Sequence, residues 1–337
     1  MTNIAINGFG RIGRLFFRQI WGRKEFKIVA INDLGSVENL AYLLKYDSVY
    51  RTFSEEVSVK AGNLVVGGRE IAFLQIKDSK ELPWKKFGVQ VVVESSGAYE
   101  SFESARAHLN QGAKRVVISA PAKDAEGIAD GRTVLVGIND GKLSSLRLTS
   151  NGSCTTNAVA PVIAVLSEEP GIEKAILNTV HAYTATQGIV DGPVRGSDFR
   201  RGRAGAQNMA PSSTGAAIAV TRVLPDLQGK FDGIAIRVPI IAGSIADITF
   251  VAKRKTSVEE VNKILTDAAS SSKWEGMLKV TNEQIVSSDI IGEECGAIID
   301  LNSTKVVDGT LVKVLSWYDN EWGYVATLVE HVARAVK

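Results

Sequence analysis

Asn3 to Asn7, NIAIN, is a short apolar run that leads straight into Gly8-Phe9-Gly10-Arg11-Ile12-Gly13. The apolar positions that follow, Ile12, Leu15, Phe16 and Ile20, recur at helical spacing, and KIVAIND then restores a strand that ends at Asp33. Three further runs, VQVVVESSG (89–97), RVVISAP (115–121) and TVLVGIN (133–139), are almost continuous in Val and Ile. Runs of that kind suit a parallel sheet buried on both faces.

The pattern changes near residue 150. Val159, Val162, Ile163 and Leu166 repeat at helical spacing, and AILNTVHAYTATQ, GIAIRVP and IADITFVAKR then read as longer strands with few helices between them. That favours an α+β unit with a mainly antiparallel sheet. The last segment carries Val325, Leu328, Val329, Val332 and Val336 on one stripe, a docking helix. The predicted architecture is α/β, a Rossmann-type doubly wound parallel sheet over 1–150 followed by an α+β domain over 151–320.

Composition narrows the classes. The chain has 337 residues, 45% hydrophobic and 23% charged, and a formal net charge of +2, so nucleic acid and membrane are not expected as main partners. Two distant cysteines make no disulfide framework, and no apolar run is long enough to span a bilayer. A reducing cytoplasm is the expected compartment, and no metal site is expected.

With 31 glycines, a lone GxGxxG could arise by chance. Here strand, glycine turn, helix, strand and acid stand in the order of a dinucleotide-binding fingerprint. Gly8 permits the tight turn, Gly10 lets backbone N–H groups approach a pyrophosphate, and Gly13 allows close helix packing. Asp33 would accept hydrogen bonds from ribose hydroxyls and repel a 2′-phosphate, favouring NAD over NADP. Ser96, Gly97, Ser119 and Pro121 follow strand ends, where such sheets bind ligands.

Cys154, in TSNGSCTTNAVAP, sits among hydroxyls, amides and a glycine, an unusual setting for a thiol that merely fills a core. At the N-terminal end of a helix its pKa would be lowered. Pro161 leaves two readings open, a late helix start or a tolerated kink. Of three histidines, His181 in NTVHAYTATQ is the candidate base for the thiol, against the alternative of a core histidine; His108 and His331 read as surface or packing residues. Arg195, Arg200, Arg201 and Arg203 crowd a glycine-rich segment that could equally be a solvated loop or a subunit contact. PSSTGAA (211–217) opens a small-residue helix suited to an anion, and Arg237 is a charge within an apolar strand.

INGFGRIGR, SCTTN, HAYTATQ, RRGRAGAQN, PSSTGAA, RVP and SWYDNEWGY together resemble the phosphorylating glyceraldehyde-3-phosphate dehydrogenases, over essentially the whole chain. The resemblance implies an NAD-dependent glycolytic and gluconeogenic enzyme, a cytoplasmic homotetramer, that converts glyceraldehyde 3-phosphate and inorganic phosphate to 1,3-bisphosphoglycerate. Cys154 matches the nucleophile that forms a hemithioacetal, and His181 the base that accepts its proton while hydride passes to NAD, leaving a thioester. Thr184 and Arg237 match the site for the substrate's phosphate; Ser153, Thr155, Thr214 and Gly215 match the inorganic phosphate site; Arg201 matches the groups between them. Asn320 matches the residue that holds the nicotinamide carboxamide, and Arg11, Ile12, Asp33, Ser96, Ser119 and Tyr324 match further cofactor contacts. The resemblance also joins the C-terminal helix (321–337) to the NAD-binding domain.

The chain departs from the commonest pattern at Gly152, at Ala158, where many members carry a second cysteine, and at Thr186, where an acid is common. RVPIIAGSIADITF and DGPVRGSDF also differ, whereas Pro193 agrees with NAD use. An erythrose-4-phosphate dehydrogenase is the alternative, and the intact PSSTGAA argues against it.

Overall fold

The computed structural model describes residues 1–194 and 196–337, so Arg195 lies outside the described residues. The chain divides into two compact units, one of 1–134, 139–152 and 328–337, the other of 135–138 and 153–327.

In the first unit, β1 (Thr2–Asn7) feeds α1 (Arg11–Ile20), which returns to β2 (Phe26–Asn32). There follow α2 (Val37–Lys45), the meander β3 (Val57–Lys60), β4 (Asn63–Val66) and β5 (Arg69–Leu74), then β6 (Val91–Glu94), α3 (Phe102–Asn110), β7 (Arg115–Ile118), β8 (Arg132–Thr133) and β9 (Leu148–Ser150). The sheet order is β3-β4-β5-β2-β1-β6-β7-β9-β8. Every pair from β5 to β8 is parallel, and only the β3–β4–β5 edge is antiparallel. Val91, Val92 and Val93 are all buried, as expected for a strand covered on both faces.

The run 133–139 is not the strand that its Val and Leu residues predict. Strand geometry stops at Thr133, and residues 136–139 form a turn through Gly137, whose φ is +82°. Leu135 and Val136 are core residues of the second unit. A short buried apolar run has the same pattern whether it is a strand or an irregular segment.

The second unit begins with α4 (Cys154–Glu168), then β10 (Ile172–Ala182), β11 (Ala210–Ser213), α5 (Ala216–Val223), β12 (Phe231–Val238), β13 (Ser244–Ala252), α6 (Val258–Ala269), β14 (Leu278–Thr281), β15 (Ala297–Val307) and β16 (Leu311–Tyr318). The sheet order is β11-β12-β10-β13-β16-β15-β14; β10/β12 and β14/β15 are parallel and the remaining pairs antiparallel. Leu177, Ile248, Phe250, Val312 and Val314 form the inner face, packed with Val159, Val162, Ile163 and Leu166 of α4. The last helix, α7 (Trp322–Ala335), is divided at Thr327/Leu328, so only its C-terminal part belongs with the first unit.

Helix α4 starts at Cys154 and continues through Pro161. A capping box accounts for the early start: the Ser153 hydroxyl accepts from Thr156 N–H, and the Thr156 hydroxyl accepts from Ser153 N–H. Pro161 cannot donate to the Asn157 carbonyl. The backbone of Gly296 packs close to that carbonyl, where a side chain would crowd it.

Candidate active site

In the first unit the glycine turn is shaped by close approach. Gly8 has φ +93°, and a Cβ there would overlap the Ser95–Ser96 backbone; one on Gly13 would strike the Gly8 carbonyl. Gly10 is the N-cap of α1 and has open space beside it, which is what an approaching pyrophosphate needs. Asp33, directly after β2, takes Phe9 N–H on one oxygen (2.6 Å) and Gly35 N–H on the other (2.8 Å), so the acid is latched to the glycine turn itself. Arg11, at the first position of α1, is paired with Asp47, and Ile12 follows it, half-buried.

Beneath this turn lies a buried polar network. Glu94, 2% exposed, accepts from Asn7 Nδ2 (2.6 Å), Ser96 N–H (2.8 Å) and Ser96 Oγ (2.5 Å), and faces His108 Nε2 at 2.9 Å. The indole N–H of Trp84 donates to His108 Nδ1 (3.0 Å), which therefore carries no proton, so Nε2 carries it and donates to Glu94. His108 is thus a packing residue, as its helix position suggests. Ser96 spends its hydroxyl proton on Glu94, and Ser119 N–H holds the Glu94 carbonyl at 2.9 Å.

In the second unit, Cys154 is the first residue of α4, and its Sγ lies 3.4 Å from His181 Nε2. His181 is the penultimate residue of β10 and stands directly opposite Arg237 in the parallel register with β12. That register brings Arg237 Nη1 to 2.6 Å from His181 Nδ1 and 3.2 Å from the Ala182 carbonyl, while Nδ1 itself is 2.7 Å from that carbonyl. The Ala182 carbonyl can only accept from Nδ1 and the Arg237 guanidinium can only donate to it, so the two contacts favour opposite tautomers; with the proton on Nδ1, Nε2 accepts from the thiol.

Burial, with Arg237 second, pushes the pKa of His181 down to about 3, so the ring is neutral. Burial also pushes the Cys154 thiol up, and Arg237 opposes it. The lowering expected from the helix terminus is therefore outweighed by desolvation.

The ring of Tyr318 meets that of His181 edge to face at 5.9 Å. Its hydroxyl lies 2.7 Å from Thr179 Oγ1 and 2.9 Å from Thr155 Oγ1. Thr179 donates to the Ile245 carbonyl (3.2 Å), which sets the direction of the chain: Tyr318 donates to Thr179 and Thr155 donates to Tyr318. Thr155 thus turns its proton away from any ligand. Burial keeps Tyr318 protonated by raising its pKa.

The other candidates are spread around this centre. Arg201 donates to Ser212 Oγ (2.9 Å) on β11, the strand beside β12. Thr184 shares a 2.9 Å hydroxyl contact with Thr186. Thr214 caps Ala216 N–H (3.2 Å), and Gly215 is the N-cap of α5. Asn320 turns its Oδ1 to Gly243 N–H and Ser244 Oγ, both at 3.0 Å. Tyr324 is buried within α7. Thr179, Tyr318 and Ser244 escaped sequence reasoning; their signal is the strand alternation that turns all three to the inner face.

Comparison with known proteins identifies the family. The family model for the glyceraldehyde 3-phosphate dehydrogenase NAD binding domain matches residues 2–102, and the model for the C-terminal domain of the same family matches 153–320. The chain is 44% identical to glyceraldehyde-3-phosphate dehydrogenase of Clostridium pasteurianum, with 100% of each chain covered. It is 45% identical to that of Borreliella burgdorferi, with 99% of each covered, and 44% identical to glyceraldehyde-3-phosphate dehydrogenase 1 of Kluyveromyces lactis, over 99% of this chain and 100% of the relative. The chain belongs to the glyceraldehyde 3-phosphate dehydrogenase family.

Proposed function

We propose that this chain oxidises D-glyceraldehyde 3-phosphate to 1,3-bisphosphoglycerate with NAD and inorganic phosphate, through a thioester on Cys154. One observation carries the reading: a sulfur at a helix N-terminus, 3.4 Å from a ring nitrogen of a buried histidine, with Arg237 on the far side of the same ring.

Cys154 Sγ adds to the aldehyde carbon, and the developing oxyanion meets N–H donors of the first turn of α4. His181 Nε2 takes up the proton, and Nδ1, once it carries the other ring proton, has the Ala182 carbonyl 2.7 Å away as its acceptor. NAD, when bound, supplies the acceptor for the hydride that leaves the hemithioacetal carbon. Phosphate then attacks the thioester carbon, and the carbon–sulfur bond breaks to return the Cys154 thiolate. The open side of Gly10, the N-terminus of α1 and the carboxylate of Asp33 fit the cofactor's pyrophosphate and ribose. Arg11, Ile12, Gly8, Gly13, Ser96 and Ser119 complete that grip in this reading, and Asn320 and Tyr324 serve the nicotinamide.

Arg237 and Thr184 hold the substrate's phosphate. Ser153, Thr155, Thr214 and Gly215 serve the attacking phosphate, and Arg201 stands between the two groups. Thr155 would enter as an acceptor or exchange its bond to Tyr318, whereas the N-termini of α4 and α5 supply donors.

The test is NAD reduction by purified protein with glyceraldehyde 3-phosphate, with and without inorganic phosphate. Phosphate-dependent turnover is expected. Turnover indifferent to phosphate would mean that water resolves the thioester, and would overturn the phosphorylating reading.

The same reading includes a cytoplasmic homotetramer. Its support is the outer face of the second unit's sheet, where register places Ile176, Ile234 and Leu311 together, 60%, 52% and 44% exposed. Mass determination in solution tests the assembly. No helix among the described residues is long and apolar enough to cross a membrane.

A further inference from the structure

Ser244 opens β13 directly opposite Tyr318, the last residue of β16. Two residues later the chain reaches Asn320, and its amide turns back towards the start of β13. Ser244 is 1% exposed, Ala182 0% and Asn320 6%, so the polar groups here are withdrawn from water and their partners are decided by donor and acceptor count.

That count has a single solution. Ala182 N–H can only donate, and it points at Ser244 Oγ (3.1 Å). The hydroxyl's own proton is then free for Asn320 Oδ1, 3.0 Å away. Gly243 N–H, which also can only donate, lies 3.0 Å from the same Asn320 atom. Both neighbours of that atom are donors, so it is the amide oxygen, and a flipped amide would set N–H groups against N–H groups. The Nδ2 group must therefore face away from β13, with two protons to give.

Ala182 is also the residue whose carbonyl holds His181 Nδ1 and Arg237. One peptide segment thus carries the tether of the base on its carbonyl, and the tether of Ser244 on its N–H.

We propose that Ser244 is a positioning residue for the nicotinamide carboxamide: its hydroxyl locks Asn320 with Nδ2 outward, as a donor to the carboxamide oxygen, and ties that lock to the backbone beside His181. The proposal rests on the reading in which Asn320 receives the carboxamide. Ser244 touches neither cofactor nor substrate and acts through Asn320. Loss of the hydroxyl removes one of two donors that hold Oδ1, leaves Ala182 N–H without its acceptor, and lets the amide rotate out of the donor-outward orientation.

The experiment measures, for the full-length protein, the dissociation constants of NAD and of thionicotinamide adenine dinucleotide by equilibrium titration in the absence of substrate, and kcat/KM with each; the thioamide sulfur is a much poorer acceptor than an amide oxygen. Asn320→Ala, Ser244→Ala and Ser244→Cys are compared with the parent. The parent prefers NAD; Asn320→Ala should collapse that preference, and Ser244→Ala should reduce it by about tenfold, the effect of one hydrogen bond in a buried site. Ser244→Cys keeps a weak donor, should fall between the two, and serves where the alanine variant does not fold.

An equal loss with both cofactors in the Ser244 variants, beside a collapse in Asn320→Ala, would make Ser244 a purely structural residue and overturn the proposal alone. A preference unchanged in Asn320→Ala would instead overturn the assignment of Asn320, and the role of Ser244 with it.

Discussion

Arg237 Nη1 stands 2.6 Å from His181 Nδ1, because the parallel register of β10 and β12 sets the two residues side by side at the ends of their strands. A fixed cation beside the base opposes its protonation, in addition to the larger effect of burial, and His181 sits at about 3 as a result. Arg237→Gln should therefore raise the His181 pKa by about one unit or more. It should still fall short of the ordinary histidine value, since burial persists. An anion held by Arg237 in the unaltered enzyme should act in the same direction. Proton NMR titration of the ring checks both, with His181→Asn to assign the signal among three histidines. A His181 titration that is identical with and without Arg237 would remove the coupling.

His181→Asn should lower kcat by about 10²–10⁴-fold, the usual worth of a positioned base, and should slow alkylation of Cys154 at neutral pH. Cys154→Ser should abolish turnover while NAD binding persists. Residual phosphate-dependent turnover near the parent's in Cys154→Ser would exclude the sulfur from the reaction. These are read by steady-state kinetics, thiol labelling and cofactor titration on the same preparations.

Asp33→Ala removes the acceptor for both Phe9 N–H and Gly35 N–H, so it frees the glycine turn as well as removing a charge. NAD should bind more weakly, and NADP relatively better, because the repulsion of a 2′-phosphate is gone. Asp33→Asn separates the two effects: it keeps an acceptor for one N–H while removing the charge. The dissociation constants of both cofactors decide this, and an unshifted ratio in both variants would place the discrimination elsewhere.

Much of this was legible in residue patterns, for reasons that particular elements make plain. The strand, glycine turn, helix and strand of 3–33 were readable because each has its own period and the turn needs glycine for a stated steric reason. Cys154 stood out because its neighbours suit an anion better than a core. The 133–139 run departs from the strand its pattern predicts because buried irregular backbone and buried strand share one apolar pattern. Pro161 leaves both readings open in the pattern because the Ser153–Thr156 capping box that starts α4 at Cys154, and carries it through the proline, is a three-dimensional feature. The thiol's environment was also out of reach: the sign of a desolvation effect depends on which side chains surround the sulfur, and spacing along the chain does not contain that.

Glu94→Gln should destabilise the first unit by about 3 kcal/mol, as breaking a fully hydrogen-bonded buried charge does. The carboxylate meets donors from Asn7, Ser96 and His108, and a carboxamide would set its own N–H₂ against at least one of them. Because Ser96 is held through Glu94, NAD affinity should fall with stability. Urea denaturation and cofactor titration check the pair. A variant of parental stability would show that the network tolerates a neutral centre.

His331 supplies the pH test. It is fully buried in α7, its Nε2 lies 2.8 Å from Thr149 Oγ1, and burial lowers its pKa from 6.5 to about 4. Above pH 6.5 the ring is neutral in both folded and unfolded chains, and it adds no pH dependence. Below that the unfolded chain takes up a proton that the folded one refuses, so stability falls as the pH drops from about 6.5 towards about 4, by up to about 3 kcal/mol. His181, lowered to about 3, contributes in the same direction. The share of His331 is isolated by His331→Gln, which keeps a polar partner for Thr149 and does not titrate. The difference in unfolding free energy between parent and variant should shift progressively against the parent as the pH falls through this window. A difference that stays constant from pH 7 to pH 4 would mean that His331 takes up its proton in the folded protein, and that the helix gives way locally to admit it.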